Sequence, residues 1–223
     1  LIDDKANKCC KQTTYKKKQL NTRYTLHIYP KLEIPFNMTT RIITERLILR
    51  DLVPSDCDRM YLMDSDPRVL ATLFGCSPPD SVEDSSKAIE KVRKQYVDNG
   101  FGRWAVVEKE SGLFIGWAGL KIESNVNGHD TFNDLGYRFI PEFWNKGYAT
   151  EASKALVAYG FSVLKLDKIC AYIESDNTSS SRVAEKAGLR QVSTFPGERV
   201  EELWMEMRCD EFDGNMGGCE FPI

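Results

Sequence analysis

The chain has 223 residues, 42% hydrophobic and 28% charged, which suits one domain with tails; no run approaches 18 consecutive apolar residues, so a transmembrane helix is excluded, and no apolar stretch follows the early positive charges, which argues against a secretory signal. The net charge of −3 is unevenly divided: residues 1–37 hold eight Lys/Arg against three Asp/Glu, and residues 38–223 hold 22 against 30. An acidic body argues against a nucleic-acid-binding domain and suits a cationic or amine partner.

Residues 1–37 show no sustained apolar period and read as a basic, disordered or non-native extension, with a nucleic-acid arm as the rival reading. The chain opens on Leu1, whereas Met38 begins a segment with immediate strand character, so the functional domain is expected over 38–210. Residues 42–51 (IITERLILRD) alternate apolar and polar and predict one strand. Pro54, Ser55 and Asp58 start a helix with capping-box spacing that carries Met60, Tyr61 and Leu62; residues 75–80 (GCSPPD) are a turn cluster. Ser81 and Asp84 open a second helix, whose Ala88, Ile89, Val92 and Tyr96 repeat near 3.6 until Asn99-Gly100 stops it.

Two strands follow, 103–108 and 113–123, joined by the Gly-containing loop 109–112, a hairpin signal. A strand over 131–140, a long helix over 147–164, a strand over 167–174 and a helix over 177–187 come next. Gly188 ends that helix, and strands at 192–195 and 202–208 flank Pro196-Gly197; residues 211–223, with three glycines, read as a flexible tail. The order β-α-α-β-β-β-α-β-α-β-β predicts a single α/β (α+β) domain with a mixed sheet of about seven strands. The seven cysteines are scattered and form no C-x-x-C pair, and His27 and His129 lie far apart, so reduced thiols and no metal site are expected.

The sharpest segment is 135–150 (LGYRFIPEFWNKGYAT). A strand ends at Ile140, Pro141 stops it, and a polar-aromatic loop enters a helix at Gly147. Backbone N–H groups at a helix start lack intrahelical partners and sit at the positive end of the dipole, so they suit a pyrophosphate. Gly147 lets the chain approach such a group, Ala149 keeps the first turn slim, and Lys146 adds positive charge. Taken alone, the same residues also make an ordinary strand-to-helix turn.

This segment resembles the acyl-CoA-binding motif R/Q-x-x-G-x-G/A of the GNAT N-acetyltransferase superfamily. Its form here, Trp144-Asn145-Lys146-Gly147-Tyr148-Ala149-Thr150-Glu151-Ala152, is similar to the ribosomal-protein-alanine acetyltransferase (RimJ/RimL-type) branch. Trp144 departs from the Arg/Gln position, as is common in that branch, and Asn145 stands where a second Gly is frequent. Thr44 to Arg50 (TERLILR) resembles the branch's opening strand, and 176–189 (DNTSSSRVAEKAGL) its N-x-x-S-x-R-V-x-E-K-x-G segment. The three matches keep the family's order over about residues 39–208.

The resemblance implies a GNAT fold, acetyl-CoA as co-substrate, no metal, and direct attack of a primary amine on the thioester. It implies cofactor contacts from Phe139 and Ile140, whose backbone pairs with the pantetheine arm, and from Asn145, Lys146, Gly147, Tyr148, Ala149 and Thr150 around the pyrophosphate. A backbone N–H near Phe139 would stabilise the oxyanion. Asn177 matches a side chain that bonds the pantetheine; as a residue it is equally an N-cap. Ser180 matches a hydroxyl near the sulfur, a proton donor to the leaving thiolate; as a residue it is equally one more polar group on the first turn. By its spacing past Gly188, the general base that the resemblance implies falls near Glu198-Arg199, which nominates Glu198, with Glu142 as runner-up, although Glu198, Glu201 and Glu202 also read as a solvated turn. Trp104 and Trp117 face either an acceptor groove or the core.

The expected protein is cytoplasmic, with acetyl-CoA and a peptide N-terminus or small amine as partners, a homodimer left open, and neither DNA nor membrane. A catalytically silent acyl-CoA sensor would keep 139–150 without needing Ser180 or Glu198. A nucleotide-binding module would need a G-x-G-x-x-G loop in a βαβ unit, which the sequence lacks.

Overall fold

The computed structural model describes residues 39–72, 77–214 and 218–222. The basic extension with Cys9, Cys10 and His27, and the first two residues of the turn cluster, Gly75 and Cys76, lie outside the described residues.

Eight strands form one sheet: β1 (Thr40–Ile43), β2 (Leu47–Arg50), β3 (Arg103–Glu108), β4 (Phe114–Val126), β5 (His129–Phe139), β6 (Lys168–Glu174), β7 (Arg190–Pro196) and β8 (Glu201–Arg208), in the order β1-β2-β3-β4-β5-β6-β8-β7. Every neighbouring pair is antiparallel except β5 and β6. Among the described residues five α-helices flank it: α1 (Cys57–Asp64), α2 (Pro67–Leu70), α3 (Val82–Asn99), α4 (Tyr148–Ser162) and α5 (Thr178–Lys186). The parallel pair needs a crossover, and α4 supplies it.

The predicted strand over 42–51 is two strands, which raises the count from about seven to eight. The chain reverses at Thr44-Glu45-Arg46, with the Thr44 N–H bonded to the Leu47 carbonyl at 3.0 Å. No Gly or Pro marks this turn; it is held from outside by α4, which local patterning does not register. The short α2 was also unmarked; Asp66 caps it by accepting from the Arg68 N–H at 2.8 Å, with Pro67 in its first turn. The Ser55–Asp58 spacing forms no capping box: Pro54–Asp56 is a 3-10 turn in which the Val53 N–H donates to the Asp56 carboxylate at 2.9 Å, and α1 starts after it at Cys57, while at the start of α3 the Ser81 hydroxyl bonds the Asp84 carboxylate at 3.1 Å.

One core lies between the sheet and the α4/α5 layer, centred on Leu47, Leu49, Trp104, Leu120, Leu156 and Met205. The slim face of α4 (Ala152, Ala155, Leu156) lets it sit close on the sheet. Leu156 is fully buried, so truncation to Ala should cost about 2–5 kcal/mol. A second cluster on the opposite face joins Met60, Met63 and Ile89 to Ala105 and Phe114. Trp104 belongs to the first core, wholly buried and edge-on to Tyr159 at 5.2 Å, and so lines no groove. Residues 211–223, read as a loose tail, include a paired segment: the N–H of Ile43 donates to the Glu220 carbonyl and the N–H of Glu220 to the Ile43 carbonyl, both at 2.8 Å, and Phe221 meets Tyr159 at 5.3 Å. This covers the β1 edge, which otherwise leaves backbone groups unpaired.

Candidate active site

The sheet opens between β5 and β6. The β4–β5 ladder runs as far as Gly116 opposite Phe139, whereas β5 and β6 share one register pair, Asp134 opposite Cys170. Past that point β6 pairs with β8 alone, and the β6-facing edge of β5 is left without a strand. Strand alternation says which groups face the gap. Ile140 donates its N–H to the Ile115 carbonyl at 2.9 Å, toward β4, so the amides of Phe139 and Tyr137 point the other way. The Phe139 carbonyl is taken by the Trp144 indole N–H at 2.7 Å. Of the two residues expected to meet a pantetheine arm, Phe139 therefore has its N–H toward the gap, and the Ile140 N–H is spent inside the sheet.

The gap leads to the predicted loop. A 3-10 turn (Pro141–Phe143) carries the chain from β5, Asn145 and Gly147 take left-handed φ values of 60° and 83°, and α4 begins at Tyr148. An Asn pays little for that conformation and a Gly nothing, which is the local reason the loop can fold back onto the helix start. Asn145, Lys146 and Gly147 are exposed, so the amides of the first turn of α4, with Ala149 and Thr150, open on solvent. Lys146 places its ammonium 4.9 Å from the Phe143 ring centroid.

A clamp that sequence reasoning missed holds this loop. The Glu151 carboxylate in the first turn of α4 accepts from the Thr44 hydroxyl at 2.6 Å, the Arg46 N–H at 2.8 Å and Arg46 Nε at 2.6 Å. Arg46 Nη1 then donates to the Lys146 carbonyl at 2.9 Å, and its guanidinium lies 4.6 Å from the Tyr148 ring centroid. The Tyr148 hydroxyl donates to Glu108, which also accepts from Ser111 at 2.6 Å. Burial disfavours the Glu108 charge, but those two hydroxyls and the nearby cations Lys146 and Arg46 outweigh it and hold the carboxyl below its ordinary value. The matching Tyr148 phenol is pushed up by the same carboxylate. The only sequence signal for the clamp was the Thr44–Arg50 motif itself, which gave no hint of what it touches.

On the β6 side, Asn177 caps α5, accepting the Ser180 N–H at 3.1 Å through Oδ1. Its Nδ2 has no partner among the described residues, so capping and ligand binding are compatible for this side chain. Ser180, half-buried, lies 3.2 Å from the Tyr137 hydroxyl, which donates to it from β5. Glu198 is exposed at the β7–β8 turn. Beside it Arg199 ties the turn to the β6–α5 loop through Glu174 at 2.9 Å and Asp176 at 2.6 Å. Glu202 is half-buried, and its carboxyl is raised by burial and by the charges of Glu174 and Glu198. Glu142 is exposed and paired with Arg68 at 2.6 Å, which draws its carboxyl down. Trp117 lies partly buried between Arg103 and Arg138, at 5.3 and 5.2 Å from its ring centroid. Cys170 is fully buried and its thiol is pushed up by burial to about 11, which leaves little thiolate for a covalent route. No group of His, Cys, Asp and Glu converges on a metal position among the described residues.

Residues 46–190 match the model of the acetyltransferase (GNAT) domain. The chain belongs to the GNAT family. It is 30% identical over 179 residues to the uncharacterized N-acetyltransferase p20 of Bacillus licheniformis, covering 78% of this chain and 98% of that protein. Over 173 residues it is 29% identical to the uncharacterized N-acetyltransferase YoaA of Bacillus subtilis, covering 78% and 92%. A GNAT-family acetyltransferase structure from Bacillus anthracis superposes with a TM-score of 0.63 at 26% identity, covering 76% of this chain and 99% of that one. Two more distant structures share the fold. One is the Vibrio cholerae spermidine N-acetyltransferase in complex with CoA and spermine (TM-score 0.60, 20% identity, 75% and 98% coverage). The other is the ribosomal-protein-S5-alanine acetyltransferase of Vibrio fischeri (TM-score 0.65, 16% identity, 77% and 98% coverage). This GNAT chain is an acetyl-CoA-dependent N-acetyltransferase. No described helix is long and apolar enough to cross a membrane.

Proposed function

We propose that the chain transfers acetyl from acetyl-CoA directly to a primary amine, either a protein N-terminal α-amine as in the RimJ/RimL-type branch or a small-molecule amine. The observation that carries this reading is the single-register contact between β5 and β6, which opens a gap beside the free amides of α4. A silent sensor would need no proton donor near the sulfur; the half-buried Ser180 hydroxyl on the far side of the gap favours turnover.

In this mechanism the α4 amides and Lys146 hold the pyrophosphate, and Asn177 Nδ2 and the Phe139 edge hold the pantetheine. The amine nitrogen attacks the thioester carbon, and the Phe139 N–H meets the developing oxyanion. The C–S bond breaks with its electron pair on sulfur, and Ser180 protonates the thiolate. The proton lost from nitrogen leaves through Glu198 or a water it holds. Glu202 competes for that role: a raised carboxyl is the better base near neutrality, while Glu198 is the better hydrated. An α-amine, with pKa about 7.7–8.0, supplies far more neutral nucleophile at pH 7 than a lysine at about 10.4, and needs less from either carboxylate. The acidic turn suits a cationic acceptor. Thiol release from acetyl-CoA, screened over spermidine, simple amines and peptides beginning with alanine or serine, tests the proposal; folded protein that binds acetyl-CoA and acetylates none of them refutes it.

A further inference from the structure

The contact between Tyr137 and Ser180 joins the two lips of the gap, because Tyr137 belongs to β5 and Ser180 to the first turn of α5. The two oxygens are 3.2 Å apart, and neither hydroxyl has another partner among the described residues. Tyr137 lies between the strand and the α4/α5 layer, partly buried against the core, with its ring 5.9 Å from that of Phe139. The ring is therefore fixed by packing on the face of the strand whose Phe139 amide is assigned to the oxyanion. The hydroxyl at its tip is spent on one serine.

Two hydroxyls in contact leave one proton between them and one free. A phenol is the stronger acid and the poorer acceptor, so the lower-energy arrangement has Tyr137 donating and Ser180 Oγ accepting. This sets the serine rotor. With one lone pair of Oγ engaged toward β5, the Ser180 proton has to point elsewhere, and the gap is the open direction. A serine without this partner would spread its proton over three staggered positions.

We propose that Tyr137 is a positioning residue that acts through Ser180: its hydroxyl fixes the serine rotor so that the Ser180 proton faces the departing sulfur. The inference rests on the role given to Ser180 above. When the C–S bond breaks, the electron pair goes to sulfur and the Ser180 proton moves onto it. The Tyr137 proton moves to Oγ in the same motion, because a phenol is a far stronger acid than an alcohol, and water then returns a proton to the Tyr137 oxygen. Burial raises the Tyr137 phenol above its ordinary value, so it remains a donor across the working pH range.

Tyr137→Phe removes the hydroxyl and leaves the packed ring. The assay is thiol release from acetyl-CoA with whichever peptide or amine of the screen turns over. Tyr137→Phe should lower kcat about tenfold with the KM for acetyl-CoA and the melting temperature unchanged, since a bond that strengthens in the transition state is lost. Ser180→Ala should lower kcat further, and the double variant should match Ser180→Ala alone, because Tyr137 has no route to sulfur except through that serine. An equal additional fall in the Ser180→Ala background would overturn the proposal, as would Tyr137→Phe at full activity while Ser180→Ala is impaired. Full activity of Ser180→Ala would remove the acid role of Ser180 itself, a different failure read from a different variant. Ser180→Thr, which keeps a hydroxyl, should recover part of the rate only when Tyr137 is present; recovery without it also counts against the coupling.

Discussion

The two ends of the gap are built by opposite means. At the α4 end, Glu151 is 15% exposed at its side chain and accepts three hydrogen bonds from a turn more than 100 residues earlier, so the loop conformation is over-determined. At the β7–β8 end, Glu198, Arg199 and Glu201 are exposed, and the turn is tied down mainly by Arg199 reaching Glu174 and Asp176. Buried, shared bonds fix a geometry, and solvated ion pairs contribute little to it. Such a division fits a donor common to a whole family held at one end and an acceptor that differs between members met at the other.

The comparison is broken most severely at Gly147. A side chain there is strained at φ 83° whatever the space, and a carboxylate would face the same amides as the pyrophosphate. Gly147→Glu should weaken acetyl-CoA binding by about 100-fold or more by calorimetry, and an unchanged affinity would mean that α4 does not hold the phosphates. Next in size is Ser180→Ala, for which kcat should fall about 100-fold, the low end for general-acid help, since a thiolate is a fairly good leaving group. Glu151→Ala follows: it leaves the Arg46 amide and Thr44 hydroxyl without their partner and should cost about 1–3 kcal/mol in denaturant unfolding. It should also loosen acetyl-CoA more than an equally destabilising core change such as Leu156→Ala; equal loosening by both would show that the clamp serves stability only.

The smallest effects belong at the acidic turn. Glu202 has a raised carboxyl in the folded chain, so the folded state binds its proton more tightly and the ionised group opposes folding above that range. Glu202→Gln should therefore stabilise the protein by a few tenths of a kcal/mol at pH 7–8, with the gain vanishing as pH falls through the carboxylate range. The same variant and Glu198→Gln sharpen the assignment of the base. The acidic limb of the rate profile should flatten in one of them, and a limb that survives both and moves with the pKa of the acceptor would leave neither carboxylate in the mechanism.

The sequence by itself determined the elements from residue 81 onward to within a few residues, because each carries its own period and its own stop, such as Gly100 after α3 and Gly188 after α5. It also determined the family and the loop at 145–150, since left-handed positions and helix starts are written in local residue types. What only the tertiary structure decided was everything that depends on distant partners. The turn at 44–46 carries no turn residues because Glu151 holds it; Trp104 went to the core and Glu220 to the β1 edge. The Ile140 amide was spent on β4, and Ser180 met Tyr137 across the gap. A periodicity records which face of an element is apolar, and it holds no record of which other element will arrive against it.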